Sequence, residues 1–302
     1  MRDQAERLRT LVQRQRMVDR TLNLQNRVNK PQKQARLISV TSGKGGVGKT
    51  TLTVNLALAA QLAGLSTIIF DADLGLANVD IALGLLPRYN LLHVVKGEKA
   101  LSEIVCHGPH GLRVIAGGSG LPELANLTQQ QLEQLLMGLE ELDASADLIL
   151  LDTGAGLSHS VLSFLYASQE IIVITTPEPT SITDAYAVIK LLSQQGGQKL
   201  QVVVNRARGH DEAQFVYRKI VKTAQHFLGI TPALAGWLPE DSLVTQSIIR
   251  QEPLVLSNME SRAARAIRQL AKELFVVNET KSQAPASGLH SFFIRLISSM
   301  KR

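Results

Sequence analysis

Ten residues, SGKGGVGKTT at Ser42 to Thr51, restrict the possible folds more than any other stretch. Gly43-Lys44-Gly45-Gly46-Val47-Gly48-Lys49-Thr50 satisfies Gly-x-x-x-x-Gly-Lys-Ser/Thr. It lies after an aliphatic run, LISVTS at 37–42, and opens a helical pattern, Lys49–Ala63. Glycines let successive backbone N–H groups wrap phosphates, and the helix N-terminus adds positive potential. In that context Lys49 is expected on the β- and γ-phosphates and the Thr50 hydroxyl on Mg2+, with Thr51 completing the binding turn. A strand, this loop and a helix together demand an α/β sheet with its ligand at the C-terminal strand ends.

The rest of the chain agrees. Aliphatic runs recur at 67–73, 112–118, 147–153, 170–177, 200–205 and 233–239, without polar alternation. Strands covered on both faces, as in a parallel sheet, have that pattern. Helical patterns lie between them at Thr128–Leu142, Thr183–Ser193 and Asp211–Phe227, and Ser261–Phe275 is expected to be the last helix of the body. The prediction is a doubly wound, mainly parallel sheet flanked by helices, with helical extensions at both ends. Hydrophobic residues make up 45% of the 302 and aromatics 4%, so the core is expected to be aliphatic. The single cysteine, Cys106, excludes a disulfide within the chain and suits a reducing cytosol. No apolar run approaches the ~20 residues that span a bilayer, and the polar opening does not resemble a signal peptide.

Carboxylates close two further strands. FDADLGLANVD places Asp71 and Asp73 at a strand end, where the phosphates are expected. LILLDTGAG brings four apolar residues and then Asp152, a pattern that sends a carboxylate to Mg2+ directly or through water. Cys106, His107 and His110 are close together, but three ligands in a short loop do not make a metal site. No Ser/His/Asp or Cys/His set stands out, and no Asn/Thr-Lys-x-Asp guanine-reading pattern occurs, which favours ATP over GTP.

Charge is concentrated at the ends. Residues 1–36 hold ten Lys/Arg against three Asp/Glu, and residues 281–302 hold four basic and no acidic residues; of the net +6, the body at 37–280 is left with −5. The expected organisation is a helix at 3–18 and a linker within 1–35, a body at 36–280, and a linker with a final helix at 281–302. In that last segment Leu289, Phe292, Phe293, Leu296, Ile297 and Met300 form one apolar stripe beside Arg295, Lys301 and Arg302. An interfacial helix for anionic membrane has this form, and so does a helix folded back on the body.

KGGVGKTT resembles the deviant Walker A motif of the MinD/ParA family of ATPases. The resemblance implies an ATP-dependent homodimer in which Lys44 reaches the partner's phosphates. It further implies that Asp73 orients the attacking water with Asn78, and that Asp71 supports the metal shell and Lys44. Asn205 and Arg206 of VVVNRAR, and Pro239 of LPED at 238–241, would border adenine. The cofactors implied are ATP/ADP and Mg2+. Asp3-Gln4-Ala5…Leu8-Arg9 resembles the DQA-x-x-LR activator segment of the FlhG (YlxH/FleN) flagellar-number family, and GAGLS, TTPEPTSITDAYA and VNRAR are similar to that family too. This implies stimulation of the FlhF GTPase by the N-terminus, flagellar C-ring proteins (FliM/FliN/FliY type) as partners, and a peripheral position on the cytoplasmic face of a bacterial membrane. A septum-site MinD role and a DNA-segregating ParA role are the alternatives. The acidic body and the apolar tail disfavour nucleic acid.

Overall fold

The computed structural model describes residues 34–73, 78–118, 123–124, 127–276 and 288–300. The helix expected at 3–18, with Asp3, Gln4, Ala5, Leu8 and Arg9, lies outside the described residues.

The aliphatic runs form one sheet of β1 (Arg36–Ser42), β2 (Thr67–Ala72), β3 (Val105–His107), β4 (Arg113–Ala116), β5 (Leu148–Ala155), β6 (Glu170–Thr175), β7 (Lys199–Ala207) and β8 (Ala233–Pro239). Their order is β3-β4-β2-β5-β1-β6-β7-β8. Among the described strands only β3 runs antiparallel to its neighbour. The helices are α1 (Lys49–Leu62), α2 (Val79–Leu83), α3 (Leu91–Val95), α4 (Gln129–Ser145), α5 (His159–Ala167), α6 (Pro179–Gln195), α7 (His210–Leu228), α8 (Ser242–Arg250), α9 (Leu254–Ser257), α10 (Arg262–Ala271) and α11 (Leu289–Met300).

Successive strand residues point to opposite faces, so the continuous aliphatic runs serve two cores at once. Ile38, Val40, Ile69, Leu150, Ile172 and Val203 pack under α1, α9 and α10. Leu37, Ile68, Phe70, Ile149 and Leu151 face the other way, against α4, α5 and α11. Farther along that second face, Ile171, Val173, Val202 and Val204 are covered by α5, α6 and α7.

Three features differ from the sequence expectation. The body's last helix stops at Ala271 and ends in a π-helical turn, Lys272–Val276. The short edge strand β3 and the helices α2, α3, α5, α8 and α9 carry too few residues for a periodic signal. The third is the tail. The apolar stripe at 289–297 is not offered to solvent: Leu289, Phe292, Phe293 and Leu296 are wholly buried and Ile297 nearly so. Phe293 meets Phe70 of β2 edge-on at 5.6 Å and Phe292 lies 6.0 Å from Phe164 of α5. Met300 is the last residue of α11. The folded-back alternative describes this arrangement, and a membrane role for the stripe requires the helix to leave this face: burying large aromatic and aliphatic side chains is worth ~1.5–3 kcal/mol each, and the sheet face supplies the partner surface.

Candidate functional site

The loop after β1 opens beside β5 and β6, the two neighbours of β1. Gly43 has to be glycine because α6 passes against it: a Cβ there would collide with the Asp184 carbonyl. Gly48 adopts φ 91°, a left-handed conformation that favours glycine, and its backbone caps the start of α1. Asn205 at the end of β7 lies behind this turn and donates its side-chain N–H to the Val47 carbonyl at 2.7 Å. The loop is therefore held in shape from α6 and from β7.

Asp152 is the hub beneath it. The carboxylate is fully buried and accepts from Lys49 Nζ at 3.1 Å, Thr50 Oγ1 at 2.6 Å and Thr53 Oγ1 at 3.0 Å. Strand register places Asp71 of β2 directly beside Asp152 of β5. Asp71 accepts the backbone N–H groups of Asp73, Asn78 and Val79 at 3.0, 3.1 and 3.2 Å, which ties the start of α2 to the strand end. Burial, and then the neighbouring Asp152 charge, push its pKa up to about 6. Two buried carboxylates in register, with one lysine between them and the loop, form an anionic pocket suited to a divalent cation.

Two cavities adjoin here. One, of about 370 Å3, is bordered by Gly45, Gly46, Lys49, Thr50, Asp73 and Asn78. The other, of about 490 Å3, is bordered by Asn205, Arg206 and Pro239 on its polar side and by Leu52, Val244 and Leu254 below. Gly48, Thr51, Arg206 and Ile248 border both, so the two cavities adjoin at the end of the loop. Arg206 has φ 56°, a left-handed conformation for a non-glycine residue. This combination fits Mg-ATP: the glycine cradle and the buried Lys49 would take the phosphates, Thr50, Asp71 and Asp152 would hold the cation, and the half-apolar chamber is of a size for a purine. Asn205 borders the larger cavity and also supports the loop, through a bond that the sequence does not announce.

Lys44 stands apart from the cradle. Its Nζ lies 2.7 Å from Glu178 Oε2 and 3.1 Å from Thr180 Oγ1, at the start of α6, and it borders neither cavity. Glu178, Thr180 and Thr53 are site neighbours that sequence reasoning passed over. Only Thr53 carried a signal, since it follows Lys49 by four residues and shares its helix face. Cys106 and His107 lie on the edge strand β3, with His110 in the turn after it, and no three potential metal ligands gather among the described residues.

A family model described as the CobQ/CobB/MinD/ParA nucleotide binding domain matches residues 38–254. The antiactivator FleN of Pseudomonas aeruginosa is 37% identical over 240 residues, 79% of this chain and 86% of that protein. The flagellum site-determining protein YlxH of Helicobacter pylori is 34% identical over 264 residues, 87% and 90% of the two. Among solved structures, septum site-determining MinD of Pyrococcus horikoshii complexed with Mg-ADP superposes with a TM-score of 0.66 at 26% identity, covering 83% of this chain and all of that one. With a family model matched over most of the chain and two relatives above 30% identity aligned along most of their own length, the chain belongs to the MinD/ParA family of P-loop ATPases, among the homologues of FleN and YlxH.

Proposed function

We propose that this ATPase is a dimerising switch whose nucleotide state sets its membrane attachment and, through that, the number and placement of flagella. ATP with Mg2+ supplies the phosphoryl group that is transferred to water. Lys49 neutralises phosphate charge, and Thr50, Asp71 and Asp152 would hold the cation. Asp73 and Asn78, on the rim of the phosphate cavity, hold and orient the attacking water.

The observation that carries the reading is the position of Lys44. Its ammonium is engaged by Glu178 and Thr180 on the outer side of the loop, half exposed, rather than in its own cradle. An exposed ion pair of this kind contributes little, so the lysine is readily given up to a stronger anion. A second copy facing the loop presents that anion, and Lys44 acts on the partner's phosphates.

Complementation tests this. Lys44→Ala and Asp73→Ala chains are each expected to be inactive, whereas mixing them restores one complete site per mixed dimer. A mixture as inactive as its parts would place Lys44 in its own site and end the in-trans reading. The membrane arm uses α11, released on dimerisation so that two apolar tails reach anionic lipid together. The flagellar arm uses the basic N-terminus: Gln4 within Asp3–Arg9 stimulates the FlhF GTPase, and C-ring proteins are the other partners. A peptide of residues 1–30 is expected to accelerate GTP hydrolysis by FlhF, and a Gln4→Ala peptide is not. Equal rates with both peptides would remove Gln4 from the account.

A further inference from the structure

Asp152 has three side-chain donors, and two of them have other duties. Lys49 and Thr50 are the residues that the phosphates and the cation require. The third, Thr53, is completely buried one turn further into α1 and borders neither cavity. Its hydroxyl is 3.0 Å from Asp152 Oδ1 and 3.0 Å from the Lys49 carbonyl. The carbonyl alone would satisfy a threonine inside a helix. The position opposite a buried carboxylate therefore has a separate consequence. A hydroxyl carries one proton, and the charged acceptor makes the stronger bond.

We infer that Thr53 is a positioning residue for the cation site: its hydroxyl holds the Asp152 carboxylate in place when Lys49 and Thr50 turn to the nucleotide. The inference rests on the assignment of Asp152 to Mg2+. Without Thr53 the carboxylate keeps its charge and burial but loses, among the described residues, the side-chain donor that neither phosphate nor metal claims. Its two oxygens then exchange orientations, and the site binds the cation less well. Outer-shell partners of metal ligands have effects of about 10–100-fold on metal affinity. A neutral hydroxyl belongs at the lower end.

The test uses the intact chain and a fluorescent ADP analogue, with Mg2+ titrated against a fixed nucleotide concentration. Thr53→Val preserves shape and removes the hydroxyl. It is expected to raise the Mg2+ concentration for half-maximal binding about tenfold, with affinity in EDTA within about twofold of the original chain. Thr53→Ser is expected to restore the original Mg2+ requirement. An unchanged Mg2+ requirement in Thr53→Val overturns the inference. So does an equal loss in EDTA, which would mean a damaged loop rather than a misplaced carboxylate. Thr53→Ala, lacking the same hydroxyl, gives the same decision if valine is not accommodated. Nucleotide binding by the original chain that ignores Mg2+ altogether would instead strike the cation assignment, and the inference with it.

Discussion

Asp71 shows how a single residue can be costly to the fold and useful to the site. Burial and the adjacent Asp152 raise its pKa to about 6, so the folded chain retains a proton that the unfolded chain has released. The sign follows directly: stability from this proton is full below pH ~4 and is lost as pH rises through about 6, to a total of up to ~3 kcal/mol. In EDTA, Asp71→Asn is therefore expected to lack that decline, although it weakens the bonds to the start of α2. Urea unfolding of both chains at pH 4.5 and pH 7.5 measures it. A parallel decline in the two chains would show that Asp71 ionises freely. The existence of Asp71 beside the phosphate loop is legible in the sequence. Its strain is not, because desolvation depends on the strand that lies alongside, and the Asp71–Asp152 pairing joins residues 81 positions apart.

At the scale of elements, α11 is the instructive case. Its start is gripped by Asp143 of α4, which accepts the N–H groups of Leu289 and His290 at 2.7 and 3.0 Å. Gly288 is pressed so closely on that carboxylate that a Cβ would clash with it. His290 lies 3.4 Å from Glu140, and Arg295 donates to the Ala167 carbonyl at 2.7 Å. Removing the Asp143 carboxylate strands one buried and one half-buried N–H group, at about 1–3 kcal/mol for the buried one and less for the other. Asp143→Ala and Gly288→Ala are both expected to loosen the helix, giving faster proteolysis after residue 276 and liposome flotation without ATP. Unchanged cleavage in both variants would mean that the apolar contacts alone hold α11. The amphipathic stripe was plain from spacing. Whether it faces lipid or core was not, since one period describes both surfaces, and the sheet face that receives it is assembled from β1, β2 and β5, far away in sequence.

For the whole molecule, the tail is a removable wall of the core. Deletion of 289–302 uncovers Leu37, Ile68, Phe70 and Phe164, and dye binding to exposed apolar surface is expected to rise while Tm falls by about 10 °C or more. A truncated chain with the original Tm would show that the docked helix adds nothing to the body. The same coupling gives the proposed switch its energy scale: dimerisation and lipid must together supply what undocking removes. Local chemistry by itself determined the phosphate loop, the carboxylates that follow β2 and β5, the alternation of strands and helices, and the family, because these depend on residue types at short spacings. Only the tertiary structure decided that Lys44 is held by Glu178 and Thr180, that Asn205 braces the loop, that Thr53 steadies Asp152, and that the tail is core. Each of these is a contact across many residues, and burial, charge pairing and available partner surface are properties of the packed chain rather than of any segment within it.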